Sequence, residues 1–213
     1  MTFDDFIRII PKIKETEIDS NLSHLKMAPP FRKYLLELTK TNYYNSKKAG
    51  VSILFHPNNN KVYFTLILRN KYKGVHSNQI GLPGGRFENK DKDIFETALR
   101  ETNEEIGVNS NKITLIKKLN NIYVPPSNYD IFPFMVYTDD KVEFIIDKNE
   151  VQEVINIEID QLINSEIVKT KASQISNRQI DALVPAYKLG EHYVWGATAM
   201  ILSEVKDIFT SVL

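Results

Sequence analysis

Arg100, Glu101, Glu104 and Glu105 stand within six residues near the middle of the chain, and they are its strongest chemical signal. On a helix, positions i, i+3 and i+4 share one face, so Glu101, Glu104 and Glu105 crowd into one small area. Like charges at that spacing destabilise a helix by about 0.2–0.5 kcal/mol per pair. The crowding makes physical sense where a hard divalent cation sits between the oxygens. Carboxylates are what Mg²⁺ and Mn²⁺ prefer, with waters and substrate phosphates completing the shell. A solvated charged face would account for the glutamates alone. It would not account for the Pro83-Gly84-Gly85 turn ahead of them or for Gly107 closing the run.

The elements that must position these acids follow from periodicity and turn chemistry. A helix is expected over 93–106, with Asp93 and Glu96 as a capping pair and Gly107 as the left-handed residue at its end. Phe95, Ala98, Leu99, Thr102 and Ile106 form its core-facing stripe and the acids lie off it. Arg100 is placed to pair with Glu96 one turn before it and Glu104 one turn after it, holding the carboxylate geometry. Residues 49–56 and 61–69 read as strands joined by a hairpin at Pro57-Asn58-Asn59-Asn60. A basic loop (70–78) and a short strand (79–82) then lead to the glycines. Further strands are expected at 113–119, 131–137 and 142–146. Helices are expected at 3–10 and 31–40, from about residue 159, and at 197–209. Strands interleaved with a few helices indicate an α/β sandwich with a mixed sheet. Residues 1–45 read as a helical N-terminal extension packed on a main body formed by 46–213.

Composition narrows the classes. The 213 residues suit one domain with a terminal extension, and 42% hydrophobic content is ample for a core. Lys+Arg and Asp+Glu both number 27, which argues against a protein devoted to nucleic-acid or anionic-membrane binding. With no cysteine, disulfides, thiolate metal sites and cysteine nucleophiles are excluded. The first residues carry Asp4 and Asp5 where a signal peptide needs a basic start and a long apolar run, so a soluble, cytoplasmic protein is expected.

The run Gly85 … Arg100-Glu101-Thr102-Asn103-Glu104-Glu105-Ile106-Gly107-Val108 resembles the Nudix box, G-x5-E-x7-R-E-U-x-E-E-x-G-U with U aliphatic. The resemblance implies a Nudix-like α/β/α sandwich and a metal-dependent hydrolase that splits a diphosphate joined to a nucleoside and another group. It implies that Glu101 and Glu105 bind the catalytic Mg²⁺ or Mn²⁺, that Glu104 is a further ligand or a base, and that Arg100 orients the acids. The match has departures. Gly85 lies fifteen residues before Arg100 instead of fourteen, Lys92 stands where the first box glutamate is usual, and Thr102 replaces an aliphatic residue. Glu88, Asp91 and Asp93 are the acids available in place of that glutamate.

Within the family the chain is similar to the coenzyme A diphosphatase branch. The likeness lies in the longer loop Gly84–Asp93, in His76 to Pro83, in Val124-Pro125-Pro126-Ser127, and in Tyr193-Val194-Trp195-Gly196-Ala197-Thr198-Ala199. In the branch's upstream signature Arg69 matches the first arginine, while Asn70, Gly74, Asn78 and Leu82 replace a serine, an arginine, a glycine and a phenylalanine. Lys71 and Lys73 offer positive charge nearby. This implies coenzyme A as the favoured substrate, cleaved by water to 4′-phosphopantetheine and adenosine 3′,5′-bisphosphate. Arg69, Gln79, Gly84 and Gly85 are then the substrate-binding candidates, and Glu104 or Glu150 the general base. Trp195 also reads as packing at a helix start, and His76 as an ordinary loop residue. Two other readings stay open: a Nudix hydrolase of ADP-ribose or a dinucleotide, and a catalytically silent domain that binds a nucleotide. Whether residues 1–45 form a homodimer interface or pad the core is also open.

Overall fold

The computed structural model describes residues 1–70, 78–172 and 182–213. Its elements run α1 (Phe3–Glu15), α2 (Ser20–Lys26), α3 (Arg32–Leu38), β1 (Lys47–Asn58), β2 (Lys61–Arg69), β3 (Ile80–Gly81), β4 (Gly84–Arg86) and α4 (Ile94–Ile106). They continue with β5 (Thr114–Lys118), β6 (Ile122–Val124), β7 (Tyr129–Tyr137), β8 (Val151–Glu158), α5 (Ile159–Ile163), β9 (Ile167–Ala172), β10 (Ala182–Leu189), β11 (His192–Trp195) and α6 (Gly196–Val212). Eight strands form the main sheet, ordered β3-β2-β1-β7-β5, with β4 on β1, β6 on β7 and β8 on β2. β1 and β7 run parallel while the other pairings are antiparallel, so the sheet is mixed as expected. A second, antiparallel sheet has the order β11-β10-β9.

Side-chain alternation divides the main sheet into two buried faces. Ile53 and Phe55 of β1, Phe64 and Leu66 of β2, and Met135 of β7 face α1 and α6. Their neighbours Leu54, Ile67, Phe134 and Val136 face α4. A period of two in three central strands therefore demands a helix layer on each side, which is the physical origin of the α/β/α sandwich. The β1–β2 hairpin closes through Asn59 and Asn60, both at positive φ (47° and 59°), the turn geometry that asparagine tolerates.

The N-terminal helices join the same core. Phe6 and Ile13 of α1 are fully buried beside Phe55 and Phe209. α1 runs past the expected end at residue 10 despite Pro11, because burial of Ile13 outweighs the lost backbone bond. α2, not foreseen from the sequence, is clamped to α6 by a buried pair, His24 Nε2 to Glu204 Oε2 at 2.6 Å. Lys26 adds bonds to Asp207 at 2.7 Å, also on α6. This clamp sets where the chain enters α3.

Two local expectations are corrected. Residues 142–146 form no strand. They run beside the end of α4, with Val142, Phe144 and Ile146 packed into its core cluster and the Ile145 N–H donating to Ile106 O at 3.0 Å. Glu96 does not pair with Arg100 and its carboxylate does not cap Asp93. It accepts from the Lys92 N–H, one residue earlier, while the Asp93 side chain caps the Phe95 and Glu96 N–H groups. Among the described residues no helix is long and apolar enough to cross a membrane.

Gly50 decides how closely α4 approaches the sheet. A Cβ there would lie 2.4 Å from Ile94 O and 2.9 Å from Ala98 N, both backbone atoms that cannot yield cheaply. Gly50→Ala should therefore destabilise the protein by about 1–3 kcal/mol, a drop of roughly 2–10 °C in melting temperature read by calorimetry.

Candidate active site

The site is assembled where β2, β4, α4 and the start of β8 converge. Asp93 starts α4 and Gly107, at φ 75°, stops it, so the acids occupy its last two turns. In the β2–β8 pairing Arg69 stands opposite Val151, which brings Glu150 to the same sheet end. Carboxylate oxygens of Glu101, Glu105 and Glu150 come within 4.8 Å of one another. Glu104 lies outside that group. It is half exposed, 2.7 Å from Arg100 Nη1 and 3.8 Å from Lys90 Nζ.

Glu105 is the deepest of the acids, with only 1% of its surface exposed, and so belongs to the buried side of α4 rather than off it. Its Oε2 accepts from the Gly84 N–H at 2.8 Å. Arg69 Nη1 lies 3.1 Å from Oε1, and Arg69 Nη2 donates to Gly84 O at 2.8 Å. The Arg69–Oε1 approach is an ion pair without hydrogen-bond alignment, so Oε1 remains a buried oxygen that no donor satisfies among the described residues. Burial pushes the Glu105 carboxyl up to about 7, with Arg69 and the Gly84 amide pulling the other way. Burial also raises Glu101, against the opposing pull of Arg100.

Gly85 and Gly84 make room for this packing. A Cβ on Gly85 would fall 2.4 Å from the Glu101 carboxyl carbon, and Gly84, at φ 146°, passes against the backbone of Gly50 and Val51. Arg100 organises the outer edge. It bonds Asp91 through Nε (2.7 Å) and Nη2 (3.0 Å), Glu101 at 2.9 Å, Glu104 at 2.7 Å and Arg86 O at 3.1 Å. Asp91 is therefore the acid of the long loop that meets the box arginine. It also accepts from Thr97 Oγ1 at 2.9 Å and the Glu88 N–H at 3.0 Å, and Arg100 holds it well below the usual carboxylate range.

The acids open into a cavity of about 460 Å³ that Arg69, Gln79, Gly84 and Gly85 also line. The rest of its lining was not foreseen. Phe31, Arg32 and Leu35 from the N-terminal segment line it together with Pro125, Tyr193 and Trp195. The Val-Pro-Pro-Ser stretch and the Trp195 region, noted only as sequence likeness, were the available hints. His76, Lys71, Lys73 and Gly74 lie outside the described residues.

Three clustered carboxylates, one with an unsatisfied buried oxygen, fit a hard divalent cation that takes oxygen ligands. The pH dependence follows. Because Glu105 titrates higher folded (about 7) than its ordinary 4.5, the folded state binds the extra proton between these values. Without metal, the contribution of Glu105 to stability is fully present below 4.5 and falls as pH rises toward 7, by at most about 1.4 kcal/mol per unit. A cation must displace that proton, so the melting-temperature gain from Mg²⁺ or Mn²⁺ over chelator should be larger at pH 8 than at pH 5.5. An equal gain in Glu105→Gln would contradict it. Asp91→Ala should cost roughly 3 kcal/mol at neutral pH, since it strips the most buried partner from Arg100. That difference from wild type should shrink in urea titrations below the ordinary aspartate value of 3.8, where the carboxylate's advantage is lost.

A family model described as NUDIX domain matches residues 46–180. "Nudix hydrolase 15, mitochondrial" of Arabidopsis thaliana is 26% identical over 184 residues, 84% of this chain and 64% of that protein. "Nudix hydrolase 3" of Caenorhabditis elegans is 30% identical over 122 residues, 56% of this chain and 49% of that protein. The chain thus spans between 49% and 64% of the length of these relatives. The crystal structure of a Nudix hydrolase from M. smegmatis, RenU, shares the fold with a TM-score of 0.53 at 10% identity, over 79% of this chain and 88% of that one. An acid-bearing helix between a glycine turn and a left-handed glycine, on a mixed sheet sandwiched by helices, agrees with the family match: the chain belongs to the Nudix family.

Proposed function

We propose that the protein hydrolyses the diphosphate of a nucleoside diphosphate derivative, with coenzyme A the favoured substrate and Mg²⁺ or Mn²⁺ the cofactor. The observation that carries this reading is the convergence of Glu101, Glu105 and Glu150 in the lining of a cavity of about 460 Å³, large enough for a nucleotide-sized ligand. A bound cation supplies charge neutralisation on the phosphates and acidifies the attacking water.

The protein's own groups do the rest. Glu101, Glu105 and Glu150 would hold the cation, with Glu105 kept in place by Gly84 and Arg69. Arg100 acts as a positioning residue, fixing Glu101 while Asp91 fixes Arg100. The bare Gly84-Gly85 backbone lets the diphosphate approach closely. Glu150 is the exposed member of the trio and suits the role of general base, taking a proton from water as a P–O bond of the diphosphate breaks. Glu104, turned toward Arg100 and Lys90, fits better as an outer partner of the arginine. For coenzyme A and one water the products are 4′-phosphopantetheine and adenosine 3′,5′-bisphosphate.

The test is product identification by mass after incubation with coenzyme A and either cation, run beside ADP-ribose and a dinucleoside polyphosphate. Both named products should form, and Glu105→Gln should lower kcat by about 100-fold or more. Faster turnover of ADP-ribose would move the substrate assignment. Tight nucleotide binding without products would mark a silent binding domain.

A further inference from the structure

The cavity lining carries a cation that the acidic cluster does not use. Arg32 opens α3 and lines the cavity, and its Nη2 donates to Tyr123 O at 3.0 Å. That bond tethers the guanidinium, and among the described residues it engages one of five N–H donors. Among the described residues no carboxylate forms an ion pair with it, whereas Arg69 and Arg100 both have acidic partners. Partial burial disfavours its charged form, and among the described residues no carboxylate pairs with it to offset that. A half-buried guanidinium that lines a ligand-sized cavity and has no acidic partner among the described residues is arranged for an anion from outside.

A second feature of the same cavity points the same way. α6 begins there with Gly196, Ala197 and Thr198, and its N-cap residue Trp195 makes no side-chain capping bond. A Cβ added at Gly196 would meet nothing within 4 Å, so there is open space beside the start of this helix. Such an end favours negative charge. Phe31, next to Arg32, and Trp195 both pack on Val184, which ties the two features into one wall.

We infer that Arg32 is a specificity-determining residue that binds a phosphomonoester carried by the substrate outside the diphosphate to be cleaved. This rests on reading the acidic trio as the cleaving end. The N-terminal segment, anchored by α1 to the core and by α2 to α6, thereby reads the substrate.

Trp195 is the sole tryptophan and lines this cavity, so its fluorescence reports occupancy without turnover. The full chain would be titrated with adenosine 3′,5′-bisphosphate and with adenosine 5′-monophosphate. Wild type should prefer the bisphosphate by about tenfold or more. Arg32→Met should bring that ratio close to one, and Arg32→Lys should keep an intermediate ratio. Circular dichroism checks the fold of each variant, and Arg32→Lys alone decides should Arg32→Met fail to fold. No preference in wild type, a ratio that survives in the variants, or equal weakening of both ligands would overturn the inference. Equal weakening would mean that Arg32 serves the cleaved phosphate or only the fold. The two readings fail separately: a binding preference without diphosphate cleavage removes the proposed activity and keeps the Arg32 site, while cleavage without the preference does the reverse.

Discussion

A carboxylate buried to 1% exposure beneath a glycine turn is the constraint around which the rest is organised. Glu105 sits where charge is costly, and the protein meets that cost only in part. The Gly84 amide satisfies one oxygen and Arg69 stands beside the other without a hydrogen bond. Low dielectric makes an incompletely satisfied acid a strong attractor for a proton or a cation. Its two partners come from separate strands, so β2, β4 and α4 must all be in register for the acid to be held.

Small residues set the distances on which this depends. Gly50 lets α4 settle onto β1, and Gly85 lets the Glu101 carboxylate lie against the turn. Ser52 and Thr102 continue the same close interface with a hydroxyl pair at 3.0 Å. On the outer side Arg100 gathers Asp91, Glu101 and Glu104, and its planar fork gives each carboxylate a fixed direction. The helix can therefore carry three acids in five residues, because the like-charge repulsion is divided between Arg69 beside the buried Glu105 and Arg100 with Lys90 beside the exposed Glu104.

Legibility varied with how local the determining forces are. The ends of α4 were readable because Asp93 and Gly107 act within one turn of themselves. The first hairpin was readable from its asparagines. Residues 142–146 alternate as a strand would, yet they pack against the end of α4, where their apolar side chains find burial without a strand partner. β8 was not read as a strand because its apolar residues answer two cores at once: Val151 and Val154 join the α4 cluster while Ile155 and Ile157 join the other. Glu96 matched a capping spacing, but the backbone ahead of α4 presented the Lys92 N–H instead.

The sequence by itself determined the chemistry on offer: acids at helical spacing, bounded by glycines, in a chain whose period-two strands require helices on both faces. Those features depend on neighbours a few residues apart, and such neighbours are written in order along the chain. Only the tertiary structure decided which acids meet. Glu150 joins Glu101 and Glu105 through the pairing of Arg69 with Val151, Glu104 turns outward to Arg100 and Lys90, and Asp91 takes the arginine. It also placed Arg32 in the lining of the same cavity as Glu101 and Glu105, about seventy residues away in the chain. The physical reason is that contacts of this kind are fixed by strand register and helix docking, which sum many weak interactions over the whole core.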